Sequence, residues 1–168
     1  MYAGHAAIAT LAKSYRPRVP IAVLAAVAFA PDWIAWFLDA IGHSNRELSH
    51  SLVAVGIGAS LAGLVYYFVA RDGAGALLVC LTYLSHWPAD FITGLKPTWP
   101  GGPYVGLYLY TRPVVDVVIE FIVVILCWIA YRRSLPEVAR NRAIAWLVPA
   151  GLMVMHLAFF ATTNPALR

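Results

Sequence analysis

Long apolar runs separated by short polar clusters set the pattern of this chain. Crossing a hydrocarbon core takes roughly 20 mainly apolar residues, and five runs qualify: residues 19–38, 51–70, 75–94, 114–131 and 143–163. A shorter helix over residues 2–14 precedes them. The pattern predicts an all-α fold, a polytopic membrane helical bundle with five transmembrane spans plus a short N-terminal helix. Residues 1–168 form a single integral membrane domain in this reading, since no linker, low-complexity tract or internal repeat divides them. Residues 1–10 lack a basic start and a small-residue cleavage site, so this segment is expected to stay in the mature protein.

Composition strengthens the expectation. The chain is 61% hydrophobic and 12% charged, with a mean hydropathy of +0.73, whereas about a quarter of a typical soluble domain is charged. Its net charge of +4 is scattered through short loops, which argues against nucleic-acid binding. Lys13, Arg16, Arg18, Arg71, Arg132, Arg133, Arg140 and Arg142 fall on one side of the expected bundle and Arg46, Lys96, Arg112 and Arg168 on the other. The positive-inside rule assigns the first group to the cytoplasm. Cys80 and Cys127 lie within apolar runs without a Cys-x-x-Cys spacing and read as small buried hydrophobes.

Against this background Asp32, His50, His86 and Asp90 stand out, because a charge at membrane depth costs at least a few kcal/mol unless paired, hydrated or metal-bound. Two imidazoles and two carboxylates, with His5, Glu120 and His156 near by, form a donor set that divalent metals accept. Counting about 1.5 Å per residue from the expected outer ends puts Asp32, His86, Asp90, Glu120 and His156 in one layer. His86 and Asp90 are four residues apart and share a helix face, as do Asp116 and Glu120. Thr82, His86, Asp90 and Thr93 form a polar stripe, and Pro88 predicts a bend because its ring clashes with the Leu84 carbonyl. Pro31 predicts another beside Asp32. Duller roles compete: His156 as a packing residue, Asp116 and Glu120 as partners of Arg112, His43 and Asp39 as solvated loop groups.

Three segments carry a family resemblance: Phe29-Ala-Pro-Asp32, Asn45-Arg-Glu-Leu-Ser-His-Ser51 and Ser85-His-Trp-Pro-Ala-Asp90. In this order, after an early His, they resemble the bacterial LexA-binding, inner-membrane-associated metal-dependent hydrolases. More loosely they are similar to the zinc-dependent phospholipase C and P1 nuclease group. The resemblance spans about the first 120 residues and implies His5, Asp32, His50, His86 and Asp90 as metal ligands. It also implies an integral protein of the bacterial inner (plasma) membrane. Ile34 and Asn45 depart from the pattern, standing where an acid and a His are frequent. No residue here points to LexA itself.

Donor chemistry then suggests a divalent ion, zinc foremost, that lowers the pKa of bound water to near 7. Glu120, with Asp116, is the expected catalytic acid or base, and His5 a ligand or an orienting group. A site below the headgroups predicts membrane lipid surroundings and a lipid-like ester, phosphoester or amide substrate. Residues 95–113, rich in turn formers and tyrosines, form its expected lid, where Lys96 and Arg112 can meet a phosphate. Two non-enzymatic alternatives stay open: haem held by His residues of adjacent spans, and a proton or ion relay through Asp32, Asp90 and Glu120.

Overall fold

The computed structural model describes residues 2–140 and 146–163. Helices account for most of it: α1 (Tyr2–Tyr15), α2 (Ile21–Ala28), α3 (Ala30–Ala40), α4 (Glu47–His50), α5 (Leu52–Ala70), α6 (Gly73–Leu84), α7 (His86–Thr93), α8 (Pro113–Ser134), α9 (Glu137–Arg140) and α10 (Leu147–Thr163). A strap between α7 and α8 contains a two-residue antiparallel pair, β1 (Lys96–Pro97) with β2 (Tyr104–Val105), and a 3-10 turn at Leu109–Thr111.

Helix α1 is the hub, and its alanines explain why. Ala3 and Ala7, four residues apart, pack with Val124 and Cys127 of α8. Ala9 and Ala12 pack with Val19, Leu24 and Ala28 on and before α2 and with Val79 of α6. Small side chains on two faces let three helices close on α1. Close approach also governs α5 against α6: a Cβ on Gly63 would stand 3.0 Å from Cys80 Cβ and 3.1 Å from the Ala76 carbonyl oxygen.

The five-span architecture does not hold. Only Leu52–Ala70 and Pro113–Ser134 are long and apolar enough to cross a membrane among the described residues, or three segments if α2 and α3 are counted as one. Those two helices meet at a 55° bend, which breaks the expected run 19–38. The run 75–94 is divided at Ser85 into helices of 12 and 8 residues, about 18 and 12 Å long against the ~30 Å of a hydrocarbon core. The break falls where Pro88 cannot continue the hydrogen-bond ladder to Leu84. Of the fifth run, residues 143–145 lie outside the described residues, as do Arg142 and Arg168; α10 has 17 residues. The two-sided charge assignment, the inner-membrane localisation, the lipid environment and the lipid-like substrate all depend on five spans and fall with them.

Candidate metal centre

Where α1, the α2–α3 bend, α4 and α7 meet, five side chains converge. His5, Asp32 and His86 can each bring one ligand atom to within 4.8 Å of the other two, and so can His50, His86 and Asp90. His5, His50, His86 and Asp90 are buried; Asp32 keeps about a quarter of its side chain exposed. These two overlapping His/Asp clusters can chelate a divalent metal.

Each breakpoint in the fold delivers one of these groups. Pro31 occupies the first turn of α3, where a missing amide proton costs nothing, and Asp32 follows in the same turn, favoured by the helix N-terminus. Ser51 caps α5, its hydroxyl accepting from Ala54 N at 3.2 Å, which ends α4 at His50. His86 opens α7 directly after the Ser85 break, one turn from Asp90.

The proton on His86 is fixed by the backbone. Its Nδ1 lies 2.9 Å from the Ala28 carbonyl oxygen at the end of α2, and a carbonyl only accepts, so Nδ1 carries the hydrogen. In the neutral ring Nε2 then holds a lone pair, aimed at Asp90 Oδ2 (3.3 Å) and Asp32 Oδ1 (4.0 Å) with no hydrogen-bond partner. Facing lone pairs repel. They call for a cation between them, and a ring oriented by a carbonyl on its far nitrogen is the usual arrangement of a metal-binding histidine.

His50 is held on both sides of its ring. Its Nδ1 lies 2.8 Å from Ser49 Oγ, a hydroxyl that can donate or accept. Its Nε2 is hydrogen-bonded to Asp32 Oδ1 at 3.2 Å, a carboxylate oxygen that only accepts, and lies 3.8 Å from Asp90 Oδ2; an ion at this centre would take the place of the Nε2 proton. His5 stacks on His86 with centroids 4.0 Å apart and reaches Asp90 Oδ1 at 3.2 Å through Nε2.

Electrostatics keep the set ready for an ion. Burial, aided by the neighbouring His86, lowers the pKa of His5 to about 4, so its ring is neutral at pH 7. Burial also lowers the pKa of His50, outweighing the Asp32 contact that would raise it. For Asp90 burial acts the other way, yet the groups around it, including His5 and Lys96, hold its carboxyl well below the usual range. The two clusters share His86, and its single available lone pair serves one ion at a time.

Asp116, Glu120 and His156 are buried together elsewhere, between α8 and α10. Glu120 Oε2 accepts from Gly4 N at 2.8 Å, tying α8 to the first turn of α1 one residue before His5. His156 Nδ1 lies 3.7 Å from Glu120 Oε1. Both Asp116 carboxylate oxygens are buried without a hydrogen-bond partner, so the Arg112 guanidinium does not donate to them; the two residues meet only through Asp116 N, which donates to the Arg112 carbonyl at 3.0 Å. The structure therefore brings His5, Asp32, His50, His86 and Asp90 together and sets Asp116 and Glu120 in a separate group. Asp39, in the last turn of α3 and not in the loop, meets Arg46 before α4 at 3.8 Å.

Sequence reasoning misses the Ser49 hydroxyl and the Ala28 carbonyl. A Ser beside a His is a faint signal; a backbone carbonyl leaves none. Next to the centre an apolar cavity of about 330 Å³ is lined by Ile34, Leu48, Ser49, Ile57 and Tyr83 among others, with Ser49 common to both.

No family model, curated protein or solved structure matches the chain. The resemblance to LexA-binding inner-membrane hydrolases is not upheld: its motifs are short, their order is shared without a detectable match along the chain, and the five-span frame that accompanied them is absent.

Proposed function

We propose that the protein is a metal-dependent hydrolase acting on an ester, phosphoester or amide. The observation that carries the reading is the His86 ring, whose proton is committed to the Ala28 carbonyl while its Nε2 faces two carboxylates. Zinc suits this donor set of imidazoles and carboxylates. A bound Zn²⁺ would polarise the substrate and supply hydroxide at neutral pH by lowering the pKa of its water to about 7.

The chain's own residues have distinct parts. His86 and His50 offer Nε2, and Asp90 and Asp32 offer carboxylate oxygens. His5 braces Asp90 Oδ1 and packs flat on His86. Asp32, the most exposed of the five, is where water and substrate arrive, and it is the carboxylate assigned to accept the proton of the attacking water. Glu120 is a positioning residue, acting through Gly4 on His5. Haem is disfavoured because carboxylates share the space between the imidazoles, where a macrocycle needs apolar walls.

A panel of chromogenic esters, phosphodiesters and anilides tests the proposal, run on zinc-loaded and chelator-stripped protein. Zinc-restored turnover of one class, reduced about 100-fold or more in Asp32→Asn, is the expected result. Equal rates with and without the ion would overturn it.

A further inference from the structure

Lys96 places an ammonium on the carboxylate oxygen that the histidines face. Its Nζ lies 2.6 Å from Asp90 Oδ2, the oxygen that His86 Nε2 and His50 Nε2 approach to 3.3 and 3.8 Å. Only about a fifth of the lysine side chain is exposed, and lysines are rarely that buried without a charge partner.

The chain builds this contact. Lys96 pairs with Val105 across the two-residue sheet. Its neighbour Pro97 accepts the Trp87 indole N–H at 3.3 Å, and Val53 N donates to the Thr98 carbonyl at 3.2 Å. Glu47, on the same short helix as His50, accepts from Gly101 N at 2.7 Å and the Tyr104 hydroxyl at 2.8 Å. Gly106 lets the strap pass the end of α7: a Cβ there would stand 1.9 Å from the Gly94 carbonyl oxygen. Anchors on α4, α5 and α7 thus hold the backbone that carries Lys96.

Charge then decides what the ammonium is for. An ion at this centre would add positive charge beside the ammonium in a largely buried site, and unbalanced buried charge is costly. The same ion competes for Asp90 Oδ2, so Lys96 must share that oxygen or turn its flexible four-carbon stem to another anion. A bound oxyanion meets both demands: it offsets the added positive charge and gives the ammonium a partner beside the ion.

We infer that Lys96 is the substrate-anion group of this centre, exchanging Asp90 for an oxyanion that the substrate presents jointly to Lys96 and the ion. The inference rests on the metal-dependent reading and adds its substrate class, a compound bearing a phosphate or carboxylate at the scissile end. A neutral ester or amide would leave the ammonium without that partner.

Zinc affinity and oxyanion affinity of the full chain separate the two claims. Zinc binding is measured by chelator competition in wild type, Lys96→Gln and Lys96→Arg, and inorganic phosphate or acetate is then titrated into each zinc-loaded protein. The expected result is zinc bound by Lys96→Gln at least as tightly as by wild type. Affinity for whichever probe wild type prefers should fall about 10- to 100-fold in that variant, as for loss of one charge-assisted hydrogen bond, and Lys96→Arg should retain most of it. The preferred probe names the oxyanion. Zinc binding with unchanged probe affinity in Lys96→Gln overturns this inference alone; no zinc binding by wild type overturns the metal reading and this inference with it.

Discussion

The Ala28 carbonyl oxygen and His86 Nδ1 lie 2.9 Å apart, joining the end of α2 to the start of α7. This bond joins fold to chemistry. It spans two helix breaks, one at Phe29 and one at Ser85, and decides which nitrogen of His86 is available. Without the breaks, neither the carbonyl nor the ring would reach the centre.

Ser49 should matter for the same reason one step removed. Ser49→Ala removes the hydroxyl bonded to His50 Nδ1 and frees the ring to rotate or change tautomer. Zinc affinity is expected to fall about 10- to 100-fold, the usual cost of losing a group behind a metal ligand, with the circular-dichroism spectrum unchanged. Chelator competition measures it.

Glu120 ties α8 to α1 through a buried hydrogen bond to Gly4 N. Glu120→Ala leaves that donor unsatisfied and should destabilise the protein by about 1–3 kcal/mol in denaturant unfolding. Glu120→Gln retains an acceptor oxygen and should lose less. A catalytic acid or base would behave differently: Glu120→Gln would abolish turnover while leaving stability near wild type.

These comparisons mark what the sequence makes legible. The cost of burying Asp32, His50, His86 and Asp90 in apolar segments is readable from composition and spacing, and with His5 these are the residues the structure brings within ligand reach. Near Pro88, where a bend is expected, the helix is interrupted at Ser85. Span number is not legible, because a hydropathy window averages across a break: residues 19–38 and 75–94 remain apolar whether they form one helix or two. Nor is the place of Glu120. One-dimensional depth puts it level with His86, whereas lateral packing of α8 on Ala3 and Ala7 carries it to the start of α1.

Acid should weaken the metal-free protein. His5 is held near a pKa of 4 in the fold against about 6.5 when unfolded, so between those values the unfolded chain binds more protons and stability falls as pH is lowered. The loss begins near pH 6.5 and is complete below about pH 4. Unfolding in chelator at pH 7.5 and 5 should show this slope, and His5→Gln should reduce it, with His50 and His156, also lowered by burial, supplying the rest.

Gly106 has φ +154° and faces the Gly94 carbonyl. Gly106→Ala combines an unfavourable backbone conformation with a backbone clash and should cost at least ~1–3 kcal/mol. Its distinctive effect is on the strap: proteolysis between residues 95 and 107 should accelerate relative to wild type.

Elemental metal content of the purified chain shows whether the five converging side chains hold an ion, with wild type measured beside His86→Ala and Asp90→Ala. The expected result is a divalent metal, zinc foremost, near stoichiometric in wild type and lost from both folded variants. No metal in wild type, even after reconstitution with zinc, manganese or iron, would contradict the account and leave the five converging side chains as a structural polar core.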